Sequence, residues 1–92
     1  METNKSEPND LHANDYVSED IIGCLYRHYK GHVYRVIAIG YDTETLEQMV
    51  VYTDDKYTWV RPARMWNELV DTPLGKVHRF ERLRKERYDD NI

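Results

Sequence analysis

A mainly β fold is what this sequence predicts: a small SH3-like curled antiparallel barrel of about five strands with one short helical segment. Three observations lead there. Aromatic and β-branched residues gather in four short runs between Cys24 and Arg61, the connections between the runs are of hairpin length and polar, and Pro62 closes the last run. A handful of short antiparallel strands hides its edges most readily by curling into a barrel.

The first run, Cys24-Leu25-Tyr26-Arg27-His28-Tyr29, and the second, Val33 to Ile39, read as a hairpin about Lys30-Gly31-His32. Gly31 supplies the positive φ that a tight turn needs, and Lys-Gly suits a two-residue turn and a bulged loop equally, which leaves the register open by one residue. A two-residue loop sets Arg27 beside Tyr34 and Tyr26 beside Arg35; a slip of one changes both pairs. Asp42-Thr43-Glu44-Thr45 is a polar turn, and Gln48 to Thr53 is the third strand. Asp54-Asp55-Lys56 turns again into Tyr57 to Arg61, which Pro62 ends because proline lacks the backbone donor that a ladder uses. Met65, Trp66 and Leu69 then recur at one-turn spacing, so Ala63 to Leu69 is read as a helical or 3₁₀ lid on the sheet. After a turn at Asp71 to Gly75, Val77 to Leu83 is the last strand, and the charged run onward to Glu86 suits strand and helix alike.

The 92 residues suffice for one domain. Residues 1–20 are expected to be a disordered acidic leader, residues 21–85 the β-barrel domain and residues 86–92 an acidic tail. The formal charge of -4 is unevenly distributed: residues 21–85 hold eleven Lys or Arg against eight Asp or Glu, so the acidity lies in the ends and the folded part is basic. No apolar run approaches the roughly 20 residues that span a bilayer, so no membrane partner is expected and the cytosol is the expected compartment. A single cysteine, Cys24, makes neither an internal disulfide nor a zinc site and reads as a small buried hydrophobe.

Tyr26-Arg27-His28-Tyr29-Lys30-Gly31, Thr43-Glu44-Thr45 with Glu47, Val50-Val51-Tyr52, Trp59-Val60-Arg61-Pro62 and Arg79-Phe80 form an ordered set of motifs. The set resembles the bacterial and phage family catalogued as domain of unknown function 1653, over about Gly23 to Leu83. The resemblance implies a small β-rich fold and brings no established activity.

Eight tyrosines and two tryptophans, many beside Arg, Lys or His, suit flat anionic ligands. Aromatic faces hold a planar group while an arginine fork grips phosphate or carboxylate. Trp59 and Arg61 share a strand face by parity, so one platform can supply both, with Tyr26 and Tyr52 as further rings and Arg79 as a further cation. The competing structural reading makes Trp59 core and pairs Arg61 with Glu44 or Glu47. Arg27 and Lys30 flank the first turn as anion contacts, or else as plain surface charges. His28 is a candidate contact whose titration range suits neutral pH, but nothing resembling a nucleophile accompanies it. Glu44 and Glu47 can select among ligands by accepting hydrogen bonds from ribose hydroxyls or a base edge. His28, His32 and His78 do not suggest a metal, because a glycine turn separates the first two and no carboxylate or thiol frame completes a ligand set.

The reading is therefore a non-enzymatic binding module without cofactor, holding a small anionic, nucleotide-like ligand, with sequestration of that ligand as its use. The alternative is a protein or single-stranded nucleic-acid interaction module, nucleic acid being the less favoured partner; an enzyme ranks below both. A core drawn from about 60 residues is thin, so a homodimer through an edge strand or the Trp66 segment is a further expectation.

Overall fold

Seven strands and one short helix make up residues 15–85, the part of the chain that the computed structural model describes. They run β1 Cys24–His28, β2 Val33–Tyr41, β3 Gln48–Thr53, β4 Thr58–Pro62, α1 Ala63–Trp66, β5 Leu69–Thr72, β6 Gly75–His78 and β7 Phe80–Lys85. A five-stranded antiparallel sheet has the order β4-β3-β2-β1-β7, and β5 and β6 form a separate hairpin. The chain is mainly β, as its sequence predicts. The barrel, however, does not close: β4 and β7 are the two edges of the sheet and do not pair.

Curvature comes from two bulges. The β2–β3 register shifts between Val36 and Ala38, which leaves Ile37 as the extra residue, and the β1–β7 register shifts between Leu25 and Tyr26. Such insertions bend a strand and deepen its twist. The first hairpin takes the slipped register, with Tyr26 opposite Tyr34 and Arg27 opposite Val33. The Gly31 N–H donates to the His28 carbonyl at 2.7 Å and the His28 N–H to the His32 carbonyl at 2.8 Å. These two bonds close a three-residue loop of Tyr29, Lys30 and Gly31, in which Gly31 has φ 114°.

The next two connections are built on aspartates. Asp42 Oδ1 accepts from the Glu44 and Thr45 amides at 2.8 and 3.1 Å, and Asp54 Oδ1 from the Lys56 and Tyr57 amides at 2.9 and 2.7 Å. Each turn then needs one residue in the left-handed region, Leu46 at φ 63° and Asp55 at φ 74°. These charge-assisted bonds hold both aspartyl carboxyls below their ordinary range.

The core is aromatic. Trp66 stacks on Phe80 with centroids 3.9 Å apart and meets Tyr26 and Tyr52 edge-on, each at 5.0 Å. Trp66 is thus buried in the core, which removes it as the self-association surface that the sequence offered. The helix that carries it spans four residues rather than the seven expected, because Leu69 leaves to start β5. The expected single strand from Val77 to Leu83 is likewise two strands, broken at Arg79, whose N–H donates to the Glu68 carbonyl and whose carbonyl accepts from the Tyr29 N–H, both at 2.9 Å. Beyond Leu83 the charged run continues as strand, Lys85 lying opposite Cys24.

Along β4 the hydrogen-bonded pairs with β3 alternate from Asp54 with Tyr57, so the backbone groups of Thr58, Val60 and Pro62 point outward. Pro62 therefore sits where its missing N–H costs no ladder bond, and it shortens the open edge.

Of the expected leader, residues 1–14 lie outside the described residues, as does the tail 86–92. Residues 15–20 are held against the domain. The buried Gln48 side chain accepts from the Val17 N–H at 2.7 Å and donates to the Val17 carbonyl at 3.2 Å, the paired bonds of a strand neighbour made by an amide. A 3₁₀ turn at Glu19–Ile21, capped by Ser18, then sends Ile21 into the core. Among the described residues no helix is long and apolar enough to cross a membrane.

Replacing Gln48 by Leu strips both Val17 groups of their partner. We expect a loss of about 1 to 3 kcal/mol in urea-unfolding free energy, with faster amide exchange at Val17 and unchanged exchange in the β2–β3 ladder; equal stability would show that the segment contributes nothing to the fold.

Candidate functional site

Phe80 connects the core to the surface. It lies opposite His28 on β1, whose imidazole meets its ring edge-on at 5.1 Å. Arg61, reaching from β4, holds its guanidinium carbon 5.6 Å from the same ring centroid and donates Nε–H to the Tyr52 hydroxyl at 3.2 Å. The sequence offered Glu44 or Glu47 as partners for Arg61. The structure gives Glu47 to Arg64 instead, and Arg61 has no carboxylate partner among the described residues. Its two Nη groups meet no acceptor among the described residues.

Arg79 stands at the junction between the β5–β6 hairpin and the main sheet. Its Nη2 donates to Glu68 Oε1 at 2.8 Å, while its Nε is buried and meets no acceptor among the described residues. Burying an unpaired donor costs about 1 to 3 kcal/mol. His28 is half-buried where these cations converge. Its own burial lowers the imidazole pKa first, and Arg61, Arg79, Lys30 and His32 lower it further, in that order. The ring is therefore neutral at pH 7, and because Nδ1 accepts the Lys30 N–H at 3.1 Å, the neutral ring carries its proton on Nε2.

His28 also lines a cleft of about 680 Å³ between the first hairpin and the β5–β6 hairpin. Tyr29, Pro73, Leu74 and Val77 form its apolar walls. Arg27 and Glu81, cross-strand partners on β1 and β7, open onto it without forming an ion pair with each other.

The other expected contacts divide. Trp59 shares the face of Arg61 and remains 44% exposed, with Tyr57 against it at 5.7 Å, so it is not sealed into the core. Tyr26 and Tyr52 are core residues, and only the Tyr52 hydroxyl reaches the site. Lys30 lies at the hairpin tip, 5.8 Å from the Tyr29 ring centroid. Glu44 and Glu47 are not brought in: they belong to the β2–β3 connection, and Glu47 precedes Tyr52 by five positions, about 17 Å of extended strand. Sequence reasoning missed the β5–β6 wall and Glu68. Thr72-Pro73-Leu74-Gly75 held the available signal, a Pro-containing turn with Gly75 at φ 114°. Among the described residues, no three His, Cys, Asp or Glu side chains gather as metal ligands.

A family model described as protein of unknown function (DUF1653) matches residues 24–82. The chain belongs to this family. The matched span runs from β1 into β7 and contains His28, Arg61 and Arg79, whereas the segment pinned by Gln48 precedes it. The crystal structure of a family member from Bordetella bronchiseptica is 37% identical, covers 71% of this chain and 90% of that one, and superposes with a TM-score of 0.61. No curated protein matches the chain.

The lowered His28 pKa sets a direction for stability. Above about pH 6.5 the imidazole is neutral in folded and unfolded chains alike; below it, the unfolded chain takes up a proton that the folded state resists, so stability falls. Asp42 and Asp54, with lowered pKa values, lose their contribution only below about pH 4. The urea midpoint should therefore drop between pH 7.5 and 5.5, and His28→Gln should drop less over that interval. An identical drop in the variant would assign the pH dependence to other groups.

Proposed function

We propose that the protein is a binding module for a small anionic, nucleotide-like ligand, and that it acts by sequestering that ligand. The observation that carries this reading is Arg61, a half-buried guanidinium with free Nη groups and no carboxylate partner among the described residues, beside Arg79 with its unpaired Nε. A phosphate or carboxylate placed between the two arginines receives charge-assisted hydrogen bonds, worth roughly twice a neutral one. The flat body of the ligand enters the adjoining cleft, whose volume lies within the range that small-molecule sites occupy and whose walls are apolar and aromatic. Trp59, on the Arg61 face, is a second surface for a ring.

Phe80 packs from the core against both His28 and Arg61, and on this reading the two arginines and His28 supply affinity rather than a nucleophile. Binding without turnover is the chemistry this set of groups performs. Two arginines act on the same His28 ring, which fits one or two anionic groups better than the extended contacts of a strand.

A thermal-shift series with adenosine, AMP and pyrophosphate tests the assignment. Ligand at one hundred times its dissociation constant adds about 2.7 kcal/mol, a rise of several degrees for a domain of this size. AMP is expected to shift the wild type more than adenosine does, and Arg61→Ala to abolish the difference. Equal shifts in wild type and variant would move the site elsewhere. Binding confined to oligonucleotides and lost steeply with salt would replace this reading with the nucleic-acid alternative.

A further inference from the structure

The loop of the first hairpin and the two arginines are joined through a single ring. His28 Nδ1 accepts the Lys30 N–H and so fixes the turn at the tip of the loop, while its ring packs on Tyr29 at 4.7 Å and on Phe80 at 5.1 Å and borders the cleft. We infer that an anion bound at Arg61 and Arg79 recruits a proton to His28, making the imidazolium a third cationic contact and breaking the Lys30 N–H bond to Nδ1. This rests on the reading of the arginine pair as an anion site and adds that the site takes up a proton as it fills.

The charges about the ring decide the direction. Arg61 approaches from β4, Arg79 from the β6–β7 junction, Lys30 from the loop and His32 from the start of β2. Arg27 on β1 and His78 on β6 share the cleft, as does one acid, Glu81 on β7; the Glu68 carboxylate is engaged by Arg79. Tyr34, its pKa raised first by burial, stays neutral near pH 7. With the site empty, this surplus of cations resists a further positive charge. A bound anion offsets it, and the attraction between anion and imidazolium is strong in a half-buried setting. The geometry then forces a second event. A protonated Nδ1 is a donor, so it meets the Lys30 N–H as donor against donor, and the bond that orders the turn is lost. Lys30 is thereby released from its place over Tyr29, at the border of the cleft.

The test needs a flat anion whose own charge is constant over the pH range used, and naphthalene-1-sulfonate is such a probe. Its dissociation constant is measured for the full chain from pH 5 to pH 8, with wild type, Arg61→Ala and His28→Asn; the Asn side chain keeps an acceptor for the Lys30 N–H and does not titrate. The wild type should bind more tightly as pH falls, by up to about tenfold per pH unit as expected for one linked proton, and His28→Asn should show a flat profile. Nitrogen-15 spectra of the wild type supply a second readout independent of the variant: on addition of probe at pH 7, the His28 ring nitrogens should move to imidazolium positions and the Lys30 amide should lose its protection in the same titration. Affinity independent of pH, together with loss of binding in Arg61→Ala, would overturn proton uptake and leave the anion site standing. A slope in His28→Asn equal to that of wild type, or an unmoved Lys30 amide, would overturn it as well. No binding to wild type at any pH would overturn the anion site and this inference together.

Discussion

The stack of Trp66 on Phe80 is the contact on which the fold depends. A five-stranded sheet whose edges do not pair has one face that must be covered by something else, and the chain spends only four helical residues on the task. A single turn of helix has no stability of its own, since nucleation costs more than one turn returns. Its position is set by the indole, which touches rings from β1, β3 and β7 at once: Tyr26, Tyr52 and Phe80. Aromatic pairs of this kind contribute about 0.5 to 1.5 kcal/mol each beyond the area they bury. Trp66 thus ties three strands together where the missing β4–β7 pairing would have done so in a closed barrel. The buried valines, Val36 and Val50, fill the space between strands but cannot perform this bridging, because each reaches only its neighbours.

The same stack places the polar groups. Phe80 must face inward to meet Trp66, and the β1–β7 register then puts His28 opposite it, while the β3–β4 register sets Arg61 opposite Val50 on the covered face. On that face Arg61 lies against Tyr52 and Phe80. Arg79 is placed by a backbone constraint, since its own N–H and carbonyl bridge Glu68 and Tyr29 where the hairpin leaves the sheet. Arg61 is positioned by packing with no carboxylate partner among the described residues, whereas Arg79 is positioned by backbone pairing together with its salt bridge to Glu68. The cost of that arrangement is visible in the Arg79 Nε, unpaired among the described residues, and in a histidine whose pKa is lowered first by burial and then by its cationic neighbours.

How much of this could be read from the sequence follows from which forces are local. The four strands up to Pro62 were legible because alternation and turn chemistry operate within a few residues, and the two aspartate turns fell where Asp42 and Asp54 indicated. The hairpin register was not, because Lys-Gly permits two loops and the choice is made by the pairing of Tyr26 with Tyr34 across the sheet. The β5–β6 hairpin escaped because Leu69 fits helical spacing with Met65 and Trp66; tertiary pairing with His78 overrides that preference. Closure was overestimated, since an indole plug substitutes for edge pairing and no local signal distinguishes the two. At the site, Arg61 and His28 both lie against the Phe80 ring, whereas Glu44 and Glu47, suggested by charge complementarity alone, sit in the β2–β3 connection. Charge has no direction along a strand, and five residues of extension carried both acids away. Gln48 left no trace in the pattern because its role, pairing with the Val17 backbone, joins positions 31 residues apart.

Selectivity is the remaining consequence of the charge distribution. Residues 21–85 carry a surplus of three cations, but the whole chain is at -4. Beyond about 8 Å at physiological salt, fields are screened and a distant ligand senses little of either. A long polyanion must place many phosphates along the surface and meets Glu68, Glu81, Asp54 and Asp71 as often as it meets arginine. A small anion meets only its immediate surroundings, which at the proposed site are the Arg61 and Arg79 guanidinium groups and the His28 imidazole, with Glu68 held by Arg79 and Glu81 on the cleft. The acids elsewhere therefore penalise the extended ligand and leave the compact one almost untouched. On the proposed reading, a chain that is acidic overall and cationic at one site favours a compact anion over an extended one.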